Sequence, residues 1–400
     1  VKRVYKEMLS KYIKNITAVS EPAGAGFVCT AAIIEYDRLI KNDSLGPDSF
    51  HVRDREIVKI YGNKEAQKAE KGMDGPYVII ELSAADAAAR LYEVKGHGPE
   101  AVTLIHEPQV TVCQVRPVHG ENGEIPAEET YLESNQVVNL VIDDFIQDTF
   151  EMLSYNLYIP QGYDGSQRWP LVLFIHDAGC CGTDPRLTLV QGLGAAIWAS
   201  PQHQKKHPCF VLAPQFAPPP MVNDDFEADD RIEMLKRLLD DVISKYNVDD
   251  KRIYTTGQSM GCMSSCELYV RYPNLFAASM MVAGQWNPQT MAEVWNSHLW
   301  IIVSEGDKKA FPGMTAMTAA MENAGARVAH ETWSAKAAPG EWNQAARRMI
   351  ATGANILFVS FDLESVARGL ASGPGEHHES TWQVAYEIEA VREWLFTNHK

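Results

Sequence analysis

Arg252-Ile253-Tyr254-Thr255-Thr256-Gly257-Gln258-Ser259-Met260-Gly261-Cys262 is the stretch that decides how the chain folds. Its first five residues have the β-branched and aromatic character of a strand, and Cys262 to Tyr272 can form a helix. Between them, Gly257 to Gly261 reads G-x-S-x-G. A chain that passes from strand to helix through so sharp a turn forces the serine into a strained backbone conformation. Glycines are needed two residues to either side, where any larger residue would collide with a neighbouring element. The turn lifts the hydroxyl clear of the sheet and aims a helix N-terminus at it, where backbone amides can stabilise an oxyanion. Ser259 is therefore the candidate nucleophile; an ordinary glycine-rich turn is the bland alternative.

Outward from this motif, the chain beyond about Asn135 alternates strands with longer helical stretches, the mark of a mainly parallel sheet flanked by helices. Pro170 to Ile175 is a wholly apolar strand and Phe210 to Pro214 reads as the next. Between Asp230 and Tyr246, Ile232, Leu235, Leu238, Leu239, Val242 and Ile243 recur at helical spacing with charges between them. Together with the turn at Ser259 this predicts an α/β-hydrolase fold over 135–400. From about Lys14 to Val118 the pattern differs: Phe27–Tyr36, Ile57–Tyr61, Tyr77–Leu82 and Gln109–Val115 are short strands broken by turn residues. They predict an all-β immunoglobulin-like sandwich over 1–118, without the Cys…Trp…Cys signature of antibody domains. Gly, Pro and acidic residues over 119–134 suggest a linker.

A serine hydroxyl is a weak nucleophile unless a base, itself held by a carboxylate, takes its proton, and this fold supplies them in the chain order Ser, acid, His. Leu299 to Ser304 is a buried-type strand, and Glu305-Gly306-Asp307 stands at its C-terminal end, where the reacting groups of open α/β sheets collect. Asp307 is the candidate acid, with Glu305 and Asp362 as alternatives. Past Asp362 the histidines are His377, His378 and His399. His399 is next to the C-terminus and is expected to be exposed. His377 and His378 come after Gly373-Pro374-Gly375-Glu376, a loop ahead of an amphipathic helix expected over 384–396. A pair of surface histidines, or a metal site, is the competing reading.

Ile175-His176-Asp177-Ala178-Gly179 closes the first strong parallel strand. Met260 is expected to supply the first oxyanion amide and Ala178 the second, while His176, preceding the nucleophile, falls outside the chain order and reads as structural. Gln258, Gln285 and Trp286 are candidates to line a substrate pocket, and Ala217 to Phe226, with three consecutive prolines, is a candidate lid.

Four hundred residues favour two domains. A formal charge of −16 argues against nucleic acid or an anionic membrane surface as partner. No apolar run is long enough for a spanning helix, so a soluble protein is expected. The N-terminus lacks both Met and an apolar signal core, which suggests a processed or trimmed product; secretion or a periplasmic location is one reading and the compartment stays open. The seven cysteines are an odd set without C-x-x-C spacing and are expected to be buried free thiols, with Cys29 and Cys113 the one pairing considered.

These residues resemble bacterial two-domain carboxylesterases that carry an immunoglobulin-like domain before an α/β-hydrolase domain. That group is similar to polyhydroxybutyrate-depolymerase-like and feruloyl esterases. The likeness runs through Ile33 to Asp37 and Pro47-Asp48-Ser49-Phe50, then Tyr158-Ile159-Pro160, the His176 loop, Ser259, Ser304 to Asp307 with Pro312-Gly313, and His378 to Phe396. The resemblance implies Asp307 as acid. It also implies His378 rather than His377 as base, since the family sets the base four residues before an aromatic such as Trp382 and shortly before a pair such as Ala385-Tyr386. The chain departs from the family at Asp177 and Cys262, where glycine is usual. The activity implied by the resemblance is hydrolysis of a small-molecule or polysaccharide-linked ester through an acyl-enzyme, with no metal or organic cofactor. The first domain would influence specificity or serve as a surface for homo-oligomer assembly. A peptidase of the same fold and a non-catalytic carbohydrate- or partner-binding protein are the rivals.

Overall fold

The computed structural model describes residues 9–95, 102–128, 130–366 and 376–400. The chain divides into two compact units, one comprising residues up to Glu21, Phe27–Glu93 and Ile105–Asp143, the other Pro22–Gly26, Val94–Leu104 and Asp144–Lys400. Among the described residues no helix is long and apolar enough to cross a membrane. All seven cysteines are buried and none is in a disulfide among the described residues, so Cys29 and Cys113 are not paired.

In chain order, strands β1 (Ile13–Ala23), β2 (Gly26–Ile40), β3 (Phe50–Val52), β4 (Ile57–Asn63) and β5 (Gly75–Leu82) are followed by a two-stranded pair, β6 (Tyr92–Lys95) and β7 (Val102–Ile105). Then come β8 (Thr111–Gln114), β9 (Val118–Gly120), β10 (Gly123–Ile125), β11 (Leu132–Glu133) and β12 (Gln136–Asn139). One sheet runs β10-β9-β2-β1-β12 with β5 and β4 joined to β2; a second runs β11-β8-β3. Val19, Ala31, Ile33, Tyr61 and Ile79 pack a small core.

The expected linker over 119–134 instead carries the end of β9 and the whole of β10 and β11. β9 and β10 form a hairpin with Val118 opposite Ile125, both buried, and Leu132 of β11 pairs with Val112. β12, placed by the sequence pattern in the second domain, runs parallel to β1, with Gln136 opposite Thr17. The physical reason is that glycine and acidic residues mark a tight hairpin turn as well as a linker: Gly123 takes φ +115° at the β9–β10 turn.

The second unit is built on β13 (Ile146–Phe150), β14 (Leu153–Tyr158), β15 (Trp169–Ile175), β16 (Phe210–Gln215), β17 (Val248–Gln258), β18 (Ala278–Val282), β19 (Leu299–Ser304), β20 (Val328–Trp333) and β21 (Ile356–Phe361). They form one nine-stranded sheet in the order β13-β14-β16-β15-β17-β18-β19-β21-β20. β14 is antiparallel to both of its neighbours, β13 and β16. From β16 through β15, β17, β18, β19, β21 to β20 every pair is parallel, so those strands end at one common edge. Every residue of β16, β18 and β19 is buried, as expected of parallel strands covered on both faces.

The covering helices are α1 (Leu187–Val190), α2 (Leu193–Ala199), α3 (Pro201–Lys206), α4 (Arg231–Lys245), α5 (Met260–Arg271), α6 (Pro288–Ala292), α7 (Ala310–Ala324), α8 (Pro339–Ala351), α9 (Leu363–Val366), α10 (Glu376–Ala385) and α11 (Glu389–Leu395). α4 buries Ile232, Leu235, Leu238, Leu239 and Val242, the stripe its spacing dictated. The single helix expected over 384–396 is two helices, broken where Ile388 turns extended (ψ 99°). His377 and His378 lie in the first turn of α10 rather than in a loop; Glu376 and Glu379 beside them suit the positive end of a helix dipole. Gly373, Pro374 and Gly375 of the expected loop lie outside the described residues.

Leu173, fully buried at the middle of β15 between β16 and β17, reports on this core. Leu173→Ala is expected to destabilise the second unit by about 3 kcal/mol. A clear drop in the urea midpoint with unchanged far-ultraviolet dichroism in buffer is the outcome that checks it.

Candidate active site

The turn from β17 into α5 is as tight as its sequence demands. Ser259 adopts φ 52°, ψ −118°, a conformation costly to any residue with a side chain, at about 1–3 kcal/mol. Crowding imposes it. A Cβ on Gly257 would lie 2.6 Å from the Gly261 carbonyl carbon and 2.7 Å from the Ile175 carbonyl oxygen, and a Cβ on Gly261 would fall on that same oxygen. Ser259 is pinned by its amide, which donates to the Val282 carbonyl at 3.0 Å, and by its carbonyl, which accepts from Met263 N at 3.0 Å. Cys262 is fully buried against Gly284, where a Cβ would lie 2.6 Å from the Cys262 Cβ.

The structure brings Ser259, His378 and Asp307 together. His378 Nε2 lies 2.9 Å from Ser259 Oγ, and its Nδ1 bonds Asp307 Oδ2. Asp307 is buried, and its other oxygen is held by the amides of Ala310 at 2.9 Å and Lys309 at 3.1 Å, at the N-terminus of α7. Burial opposes ionisation of Asp307, but the His378 bond and charge with the two amides outweigh it and hold the carboxyl below its ordinary value. Trp382, one helical turn beyond His378, packs edge-on against the imidazole with ring centroids 5.0 Å apart.

The alternatives lie elsewhere. His377 Nδ1 meets Ser304 Oγ at 3.2 Å, and its ring fills the space a Cβ on Gly306 would need. Glu305 accepts from Ser360 and Thr332, Asp362 caps the amides of Glu364 and Ser365, and His399 is exposed. Among the described residues no three His, Cys, Asp or Glu side chains gather as metal ligands.

Met260 opens α5, so its amide has no acceptor within its own helix; Ala178 opens a 3-10 turn, Ala178–Cys180, in the loop after β15. That loop is braced from below by groups that sequence pattern does not single out as functional. His176 is fully buried, its Nε2 accepts from Phe216 N at 2.9 Å, and its Nδ1 therefore carries the proton and donates to the Asp177 carbonyl at 2.7 Å. Burial lowers its pKa, so the ring stays neutral in this role. Gln215, buried at the end of β16, donates to the Cys180 carbonyl at 2.8 Å and accepts from Thr188 N. A polar residue closing an otherwise apolar strand was the one signal that could have found it. Asp177 uses an extended backbone (φ −76°, ψ 170°) that needs no glycine, and its side chain accepts from Gln258.

Two expectations about the pocket are corrected. Gln258 is 1% exposed and bonds Asp177 and Gln191, so it supports the loop after β15 and does not line a pocket. Trp286 is 2% exposed, part of the main core, with its indole N–H donating to Glu267 at 3.2 Å. A Trp after a strand was fitted into the core by the apolar area it buries. Gln285 is largely buried, and its amide reaches Asp224 at 3.0 Å.

Residues 15–127 match the family model described as an esterase Ig-like N-terminal domain, and residues 219–386 match that of a putative esterase. A crystal structure of a thermostable esterase has the same fold, with TM-score 0.82 and 24% identity over 97% of this chain and 100% of that one. Acetylxylan esterase A of Emericella nidulans is 35% identical over 68 residues, 16% of this chain and 22% of that protein's length. The chain is thus matched to about a fifth of that relative.

Two outcomes test the site. Gly261→Ala should displace the turn at Ser259 and slow labelling of that serine by a fluorophosphonate about 100-fold or more, read by mass spectrometry. Because the folded Asp307 carboxyl is depressed, the stability it contributes is complete above its unfolded value of about 3.9 and disappears as pH falls through the lower folded value. Acid unfolding of Asp307→Asn should therefore be shallower than that of the unsubstituted protein in that window, and equal slopes would count against the depressed pKa.

Proposed function

From the premise that this chain joins an esterase-type immunoglobulin-like domain to an esterase domain of α/β-hydrolase fold, we propose that it is a serine carboxylesterase working through an acyl-enzyme. The observation that carries the reading is the 2.9 Å approach of His378 Nε2 to Ser259 Oγ, with Asp307 bonded to the far side of the ring. Ser259 attacks the ester carbonyl while His378 takes its proton. The amides of Met260 and Ala178 receive the oxyanion that forms. His378 then hands the proton to the leaving alcohol, and Asp307 holds the imidazole in the tautomer with the proton on Nδ1 and stabilises the imidazolium. Water, deprotonated by the same histidine, releases the acid and restores Ser259. The chemistry needs no metal or organic cofactor. A carbohydrate-linked or other small ester is the proposed substrate class, in keeping with the likeness to an acetylxylan esterase.

Ser259→Ala should lower kcat on the order of 10⁶-fold with folding intact. His378→Ala should be nearly as damaging, whereas His377→Ala should keep activity within about tenfold, a barrier change of roughly 1.4 kcal/mol. Nitrophenyl esters and anilides with matched acyl groups, assayed in parallel, decide between ester and amide cleavage; preference for the anilide would overturn the reading.

A further inference from the structure

Residues 217–226 leave the C-terminal end of β16, yet their tip is bonded on the far side of the nucleophile. Asp224 accepts from Gln285, which comes after β18, and is ion-paired with Lys309, which comes after β19. In the sheet order β16-β15-β17-β18-β19 these strands are parallel, so their C-terminal ends share one edge, and Ser259 sits at the end of β17 in the middle of it. Neighbouring strands lie about 4.8 Å apart, so a segment running from β16 to partners beyond β18 and β19 crosses about 14–19 Å and passes the ends of β15 and β17. The stretch from Gln215 to Asp224, at about 3.3 Å per residue, is long enough.

The stem of this segment is fixed. Met221 and Val222 are buried in the main core, Val222 forms a β-bridge with Ala228, and Arg231 donates to the Ala217 carbonyl at 2.8 Å. Its tip is held differently. Phe226, at φ 63°, packs edge-on against Trp286 with centroids 5.8 Å apart, and the Asp224 and Lys309 side chains are 55% and 63% exposed. Exposed pairs of this kind are weak and screened by salt, so the tip is held by a bond that can open. Lys309 joins this latch to the acid, because its backbone amide holds Asp307 Oδ1.

We propose that residues 217–226 form a strap across the mouth of the Ser259 site, and that Asp224, latched to Lys309 and Gln285, is a specificity-determining residue that limits the size of ester admitted. This rests on Ser259 being the nucleophile. The latch holds the strap down, small esters enter beneath it, and large ones need it released.

The full chain is assayed on 4-nitrophenyl acetate and 4-nitrophenyl octanoate, and the ratio of the two kcat/KM values is tracked. Asp224→Ala should raise the octanoate-to-acetate ratio about three- to fivefold, chiefly through KM. Asp224→Lys should do the same, and adding Lys309→Asp to it should bring the ratio back toward that of the unsubstituted protein. About 0.5 M sodium chloride should move the unsubstituted protein in the same direction and leave Asp224→Ala unmoved. Fluorophosphonate labelling of Ser259 is read alongside. With Ser259 labelled, a ratio that responds neither to the substitutions nor to salt overturns the strap. An unlabelled Ser259 in a protein that still hydrolyses both esters overturns the nucleophile, and with it the placing of the strap over Ser259, whatever the ratio does.

Discussion

Everything at the candidate site depends on a collision that only glycine avoids. The Ile175 carbonyl, at the end of β15, occupies the space where side chains at positions 257 and 261 would have to go. β15 and β17 are neighbours in register, with Ile175 opposite Gly257, so α5 can leave β17 only by folding back against that carbonyl. The resulting turn leaves Ser259 in a conformation that costs about 1–3 kcal/mol, offset by the buried sheet on either side. Because the next residue along β15 is His176, the contact that shapes the turn also fixes where the loop carrying Ala178 begins. One close approach of two strand ends thus sets both the nucleophile and the ground opposite it.

That loop is held by hydrogen bonds from buried, uncharged side chains. His176, Gln215 and Gln258 together engage the backbone of Phe216, Asp177, Cys180 and Thr188 and the side chain of Asp177. A buried network of this kind is stiff, since a broken bond leaves a polar group without water to replace it. Stiffness is what an oxyanion site needs, because donors that are already aimed do not reorganise when charge develops. The departure at Asp177 fits this pattern: its carboxylate takes the Gln258 amide and adds a tie between the loop and the end of β17.

The choice between two adjacent histidines is a matter of helical rotation. On α10 successive residues point about 100° apart, so only one of His377 and His378 can face Ser259. His378 does, and His377 turns to Ser304 at the end of β19. The helix is itself fastened to the nucleophile strand just beyond its C-terminal end, where the Tyr386 hydroxyl meets Thr256 Oγ1 at 3.2 Å. Nucleophile and acid are therefore carried at the ends of β17 and β19, parallel strands with β18 between them, and the base on α10.

Read as a string of residues, the chain by itself determined the strand–turn–helix at Ser259, the mixed order of strands and helices beyond it, the all-β character of the first part, and a short choice of carboxylates, Glu305, Asp307 and Asp362, at strand ends. These are local matters: apolar periodicity, and glycines where a turn permits nothing else. The string was silent on register and on distance in space. Residues 119–134 have the composition of a linker, and only long-range pairing with β2 and β8 ties β9 and β11 into sheets. Gln258 and Trp286 sit beside the right strands, yet both are buried. Gln215, at the end of β16, became part of the site because folding carried it there. So did Asp224, in the segment 217–226 that the sequence marked as a lid without naming what holds it. Which side chains meet across a sheet edge depends on strand order, and strand order is set by the burial of the whole core.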